Sequence, residues 1–241
     1  MPVQDFGNAF STFIAQNYGA KEKKRIQQGL KAAVRISAIF CVVVSAFVYI
    51  FAKPLMMIYE PPLLAPAVKI DAFAYMPVQD FGNAFSTFIA QNYGAKEKQR
   101  IQHGLKAAVR ISAIFCIVIS TCVFLFAKPL MMIFVDAKET AIIMEGVRYL
   151  RIEGAFYIGI GWLFLLYGLY RALGRPGMSV VLTVFSLGTR VALAYILSAI
   201  QAIGVVGIWW SIPIGWALAD IVGLLYYKIR KQNLVEKEPE M

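Results

Sequence analysis

Long apolar blocks, punctuated by short polar ones, dominate this chain. Segment 67–92 is apolar but interrupted by Asp71, Pro77 and Asp80. Segment 107–127 holds 17 uncharged residues after Arg110, and 32–52 repeats it. Segment 146–172 contains an uncharged run from Gly154 to Tyr170. Segment 177–200 carries Arg190 as its only charge, and 205–228 carries only Asp220 before Lys228. A helix needs about 20 mostly apolar residues to cross a bilayer. The pattern therefore predicts an all-α, polytopic transmembrane bundle with five spans from residue 67 onward and one more at 32–52. Residues 2–18 are short for a span. They are expected as a half helix, in the interface or packed on the bundle.

Composition strengthens this picture. Of 241 residues, 59% are hydrophobic and 16% charged. Soluble domains carry about 45–50% apolar and about 25% charged residues. A soluble enzyme and a disordered chain are both excluded. Cys41, Cys116 and Cys122 all lie in apolar runs, with no CxxC or Cys/His cluster, so neither a disulfide framework nor a zinc site is supported. His103 is expected in a charged loop, with no aligned serine or cysteine to make a hydrolase triad. No cleavable signal peptide is read at the N-terminus.

An internal repeat shapes the domain organisation. Residues 1–60 recur at 76–135, with ten differences over the 60 positions. Such near identity exceeds the faint symmetry of transporter halves. It points to a recent duplication or to two neighbouring paralogues stitched together. The chain divides into a partial duplicate at 1–60, a linker at 61–66, a lobe at 67–230 and a tail at 231–241. The second half of PPLLAPAVKIDAFAY at 61–75 reads as the upstream half of a helix continuing through Met76.

Charge then sets orientation. The net charge is +10, and the basic residues sit between apolar runs. Anionic lipid headgroups are the expected partners; no separate basic face suggests nucleic acid. The loop after 92 carries Lys96, Lys98, Arg100 and Lys106, and its twin carries Lys21, Lys23, Lys24, Arg25 and Lys31. Arg171 and Arg175 mark another turn, and Lys228, Arg230 and Lys231 mark the tail. The loop at 128–145 is mixed in charge, and 201–204 is uncharged. Basic loops face the cytoplasm, which predicts a cytoplasmic C-terminus. Trp209 and Trp210 are expected in an external aromatic belt, and Pro213 should kink the last helix. Gly154, Gly161 and Gly168, seven residues apart, predict a seam for close helix packing.

Polar groups inside the spans are the candidate chemistry. Asp80, Asn83, Thr87 and Gln91 share one helical face. They either line a wet cavity or form a hydrogen-bonded seam between helices. Glu153 and Tyr157 lie one turn apart. Arg190 lies about 15 Å from the external end of its helix and Asp220 about 22 Å, from the 1.5 Å rise per residue. Glu153 and Arg190 thus match in depth and are expected to pair, with Asp220 an alternative partner. The pair is either a structural ion pair or a carboxylate that exchanges a proton or Na⁺. Tyr157, Trp162, Phe164 and Tyr167 supply aromatic surface for a bulky cation.

The segments MPVQDFGNAFSTFIAQNYGAKEKQR, YLRIEGAFY, YRALGRPGMS and GVVGIWWSIPIGWALAD together resemble the multidrug and toxic compound extrusion (MATE) family. The resemblance covers about 67–230, and 1–58 as a second copy. It implies the last five of twelve helices, with the eighth and ninth repeated and the first lobe and seventh helix absent. It implies cation-coupled export of amphipathic drugs or organic cations from the cell (inner) membrane by alternating access. Na⁺ or H⁺ would be the coupling ion, with no other cofactor, and a separate N-terminal lobe a further partner. Asp80 and Glu153 would be the acidic residues of the second lobe. Two alternatives stand beside this reading: a non-transporting remnant or half-transporter needing a partner lobe, and a flippase for lipid-linked precursors.

Overall fold

The computed structural model describes residues 2–58 and 64–236, with side chains for 6–46 and 64–230. Among the described residues all regular structure is helical. The helices are α1 (Pro2–Gly19), α2 (Lys23–Ile58), α3 (Ala65–Gly94), α4 (Lys98–Phe134), α5 (Thr140–Gly154), α6 (Tyr157–Ala172), α7 (Pro176–Ser198) and α8 (Val206–Glu236).

Repeated sequence folds into repeated local structure. The α1–α2 turn places Lys21 at φ 62, and the α3–α4 turn places Lys96 at φ 60. Asn17 Nδ2 donates to Phe13 O and Asn92 Nδ2 to Phe88 O, both at 2.8 Å. Each of these side-chain bonds returns to the carbonyl four residues earlier on its own helix. Both turns are shorter than the charge pattern implied. Lys98 already begins α4, so Arg100, His103 and Lys106 lie on a helix and not in a loop. The residues between 97 and 107 are good helix formers without Pro, and one Gly does not stop the helix.

Three further boundaries differ from the sequence expectation. The span at 146–172 is two helices, α5 and α6, bent by 52° at Ala155 and Phe156. The loop at 128–145 shrinks to 135–139, because α4 runs through Phe134. The first six residues of the expected tail are helical. Residues 61–63 of the linker and 237–241 of the tail lie outside the described residues. By length and composition four described helices can cross a membrane: α2 (as Lys23–Ala46), α4, α7 and α8 (as Val206–Arg230). The bent α5–α6 pair makes up to five. Helix α3 is long enough at 30 residues but does not join them, because Lys69, Asp71, Asp80, Asn83 and Gln91 make it too polar.

Polar α3 sits at the centre instead. It packs against α1, α4 and α6. One cluster, around Phe85, Ile89, Leu163, Leu166, Tyr170 and Trp216, joins α3, α6 and α8. A second, around Ile70, Val78, Cys116, Met131, Leu150 and Trp209, joins α3, α4, α5 and α8. The glycine seam lets these backbones meet. A Cβ on Gly161 would stand 2.6 Å from Cys116 Sγ, and one on Gly168 would stand 2.7 Å from Gly82 O. One expected belt tryptophan is internal: Trp209 is buried against Tyr149, edge to face at 6.1 Å. Trp210 is exposed. Pro213 lies inside α8.

Twin helices differ in burial. Ser112 and Cys116 of α4 are buried, whereas their copies in α2, Ser37 and Cys41, are exposed. Ala33 is the only buried residue of α2 whose side chain is described.

Candidate functional site

A cluster of buried acids and tyrosines forms where α5 breaks into α6. Glu153 is the last but one residue of α5 and is fully buried. Among the described residues neither of its carboxylate oxygens has a hydrogen-bond partner. Asp71, on α3, is also buried. Tyr157 OH donates to Asp71 Oδ1 at 2.8 Å, and Tyr149 OH approaches Oδ2 at 3.5 Å. The two tyrosines flank the break, so the bend aims both at one carboxylate.

The expected Glu153–Arg190 ion pair does not form among the described residues, and Arg190 does not pair with Asp220. Glu153 faces α3. The Arg190 stem instead packs on α8, where a Cβ on Gly215 would overlap Arg190 Cγ. Asp220 is buried on α8, with Oδ1 unpartnered and Oδ2 facing Gly159 of α6.

The polar stripe of α3 lies off this cluster. Asp80 and Gln91 are exposed, and Asn83 and Thr87 are half-buried. Arg171 Nη2 donates to Asn83 Oδ1 at 3.0 Å, and Thr87 Oγ1 to Asn83 O at 3.3 Å. Asn83 thus reaches α6 through Arg171, while Asp80 stays at the surface. A cavity of about 430 Å³ opens beside Asn83, between α1, α3, α6 and α7. Asn8, Gln79, Asn83, Phe164, Tyr167, Arg171 and Thr183 line it. Asn8 is the first copy's version of Asn83, so both repeats contribute the same amide. Small-molecule sites fall in the range of about 300–1,000 Å³.

The four α6 aromatics expected as cation surface are divided among three places. Phe164 and Tyr167 face the cavity. Tyr157 is buried on Asp71. Trp162 lines a separate apolar groove with Leu165 and Leu224. The Tyr75 ring lies 6.1 Å from that of Phe164, at the edge of the cavity.

The MatE family model matches residues 1–67 and again 63–196. The chain belongs to the MATE family. It is 25% identical over 161 residues to the probable multidrug resistance protein YoeA of Bacillus subtilis (strain 168), covering 66% of this chain and 34% of that protein. The fold is similar to that of the MATE transporter ClbM in complex with Rb⁺, with TM-score 0.80 and 14% identity over 96% of this chain and 84% of that one. It is also similar to a MOP superfamily transporter from Pyrococcus furiosus, with TM-score 0.66 and 22% identity over 71% and 38%. The chain thus spans about a third of the curated relative's length.

This MATE-family chain is therefore a multi-pass membrane protein of a transporter family, not an enzyme. Sequence reading registered Asp71 only as a break in an apolar run. A usable signal was present. Ala67, Ile70, Asp71, Val78, Gly82, Phe85 and Ile89 form the buried face of α3, and Asp71 is in phase with it. Asp80 belongs to the opposite phase, which is why it is exposed.

Proposed function

We propose that this chain acts as the second lobe of a cation-coupled antiporter that exports amphipathic drugs or organic cations by alternating access. Glu153, buried without a partner beside Asp71, carries the reading. An ionised carboxylate so placed is expensive in a membrane protein. A bound proton or Na⁺ removes that expense. Ligand entering the cavity and cation bound at the acids then compete through Phe164, which lines the cavity, and the Tyr75 ring beside it. That competition is a coupling free energy, and it is reciprocal. The helix break fits the same role, because irregular backbone at membrane depth is tolerated where it serves a site. Relatives named for multidrug resistance, and one solved with Rb⁺, support the substrate and ion classes. The basic residues gathered around the α1–α2, α3–α4 and α6–α7 turns support a cytoplasmic C-terminus in the cell (inner) membrane.

A second reading makes the chain a half-transporter that needs another lobe. The bare Ser37–Cys41 face of α2, buried in its twin α4, favours it.

The test is uptake of a fluorescent organic cation into proteoliposomes under an imposed Na⁺ or H⁺ gradient. Wild type should respond to one gradient. Glu153→Gln should slow gradient-driven uptake at least 10-fold, and Asp80→Asn should change it less than 2-fold. Gradient-driven uptake unchanged in Glu153→Gln would remove the coupling assignment. A wild-type chain that is folded but inert alone favours the second reading.

A further inference from the structure

Helices α1 and α3 pair through identical sequence. A Cβ on Gly19 would overlap the main-chain oxygen of Gln91, and a Cβ on Gly94 would overlap that of Gln16. Gly19 and Gly94 are twins at the repeat offset, as are Gln16 and Gln91. The contact is therefore reciprocal: copy one does to copy two what copy two does to copy one. Thr12 Oγ1 and Ser86 Oγ meet at 3.1 Å about two turns earlier. The helices run parallel, and at these glycines a local two-fold relates the two copies; the Thr12–Ser86 contact is not exchanged, since its counterpart Ser11 is exposed and Thr87 Oγ1 bonds to Asn83 O.

A two-fold contact between two equal surfaces is self-complementary. The face of α3 that holds α1 is thus shaped to hold a second α3. We infer that α1 is an internal cap, and that when it leaves, this face of α3 pairs with the same face of a second copy of this chain. The close approach of glycine to carbonyl is the contact that lets helix backbones meet in lipid. The same swap would put the second copy's Asn83 where Asn8 now borders the cavity. It would also replace α2, bare at Ser37 and Cys41, by an α4 whose Ser112 and Cys116 already lie under Gly161. Tethering explains why the cap holds in one chain, since it gives α1 an effective concentration on the order of millimolar. This inference stands apart from the transport reading, because mass is measured without substrate.

The experiment is the mass of the full chain in lipid nanodiscs or detergent, by light scattering. Wild type should be monomeric when dilute. Gly19→Leu drives α1 off α3 and leaves α3 unchanged, so its mass should double. Gly19→Leu with Gly94→Leu spoils both copies of the contact and should stay monomeric. A monomeric, folded Gly19→Leu chain overturns the inference. So does a dimeric double variant, since the contact would then lie elsewhere. Wild type in bilayers gives an answer even if Gly19→Leu does not fold. Its dimer fraction should rise with protein-to-lipid ratio. A Thr12→Cys/Ser86→Cys chain, with native cysteines replaced by alanine, should stay monomeric when oxidised and dimerise when reduced. No dimer at any ratio, or an equal rise in the oxidised chain, overturns the inference.

Discussion

Tyr157 and Tyr149 both point at Asp71, yet they are not equivalent. The first holds Oδ1 at 2.8 Å and the second only approaches Oδ2 at 3.5 Å. Hydrogen-bond strength falls quickly beyond about 3.2 Å. Leaving a buried polar acceptor without its donor costs about 1–3 kcal/mol. Tyr157→Phe should therefore lower stability by about 2 kcal/mol, and Tyr149→Phe by less than half as much. Thermal unfolding in detergent, following both variants in parallel, checks the order. Equal losses would show that the two hydroxyls hold Asp71 equally, despite their different distances.

Between elements, backbone approach decides what a residue tolerates. Gly161 sits against Cys116 Sγ and Ser112 Oγ, at 2.6 and 3.0 Å from a built Cβ. A larger side chain there pushes α6 off α4. Gly161→Leu should cost about 1–3 kcal/mol by overpacking. Gly188 of α7 has nothing within 4 Å of a built Cβ. Gly188→Ala should be neutral or stabilise by up to about 1 kcal/mol through helix propensity. Unfolding temperatures of the pair test this, and a loss at Gly188 as large as that at Gly161 would refute it. The same rule explains the twin helices. Helix α4 buries Ser112 and Cys116 because α6 offers a glycine opposite them, whereas α2 has no such neighbour among the described residues.

For the whole molecule, orientation follows from where the basic turns gather. Arg171 lies in the last turn of α6 and Arg175 stands in the α6–α7 turn, while 135–139 between α4 and α5 mixes Asp136, Lys138 and Glu139. Lys138→Cys should be labelled by an impermeant maleimide on intact cells. Arg175→Cys should be labelled only after permeabilisation. The reverse pattern would invert the topology. Gly174, at φ 71, makes the tight turn that sets Arg175 and Pro176 at the start of α7.

The linear pattern alone determined membrane class, helical architecture, the repeat and the glycine seam. Each depends on local composition or spacing, and the span signal needs only about 20 apolar residues in a row. It also placed Glu153 and Tyr157 one turn apart, where the acid cluster stands. Tertiary structure decided the rest. Depth along a helix could match Glu153 with Arg190, but only packing shows that Glu153 faces α3 while the Arg190 stem lies on Gly215. A polar stripe marked Asp80, yet the side of α3 that faces α4, α5 and α6 is the one bearing Asp71. The break at Ala155–Phe156 interrupts an apolar run that reads as continuous, since the bend is set by the neighbours it packs against. Above all, two nearly identical segments acquired different surroundings, α4 under α6 and α2 bare where its side chains are described. Burial is a property of what lies opposite, and no residue carries that information within its own sequence window.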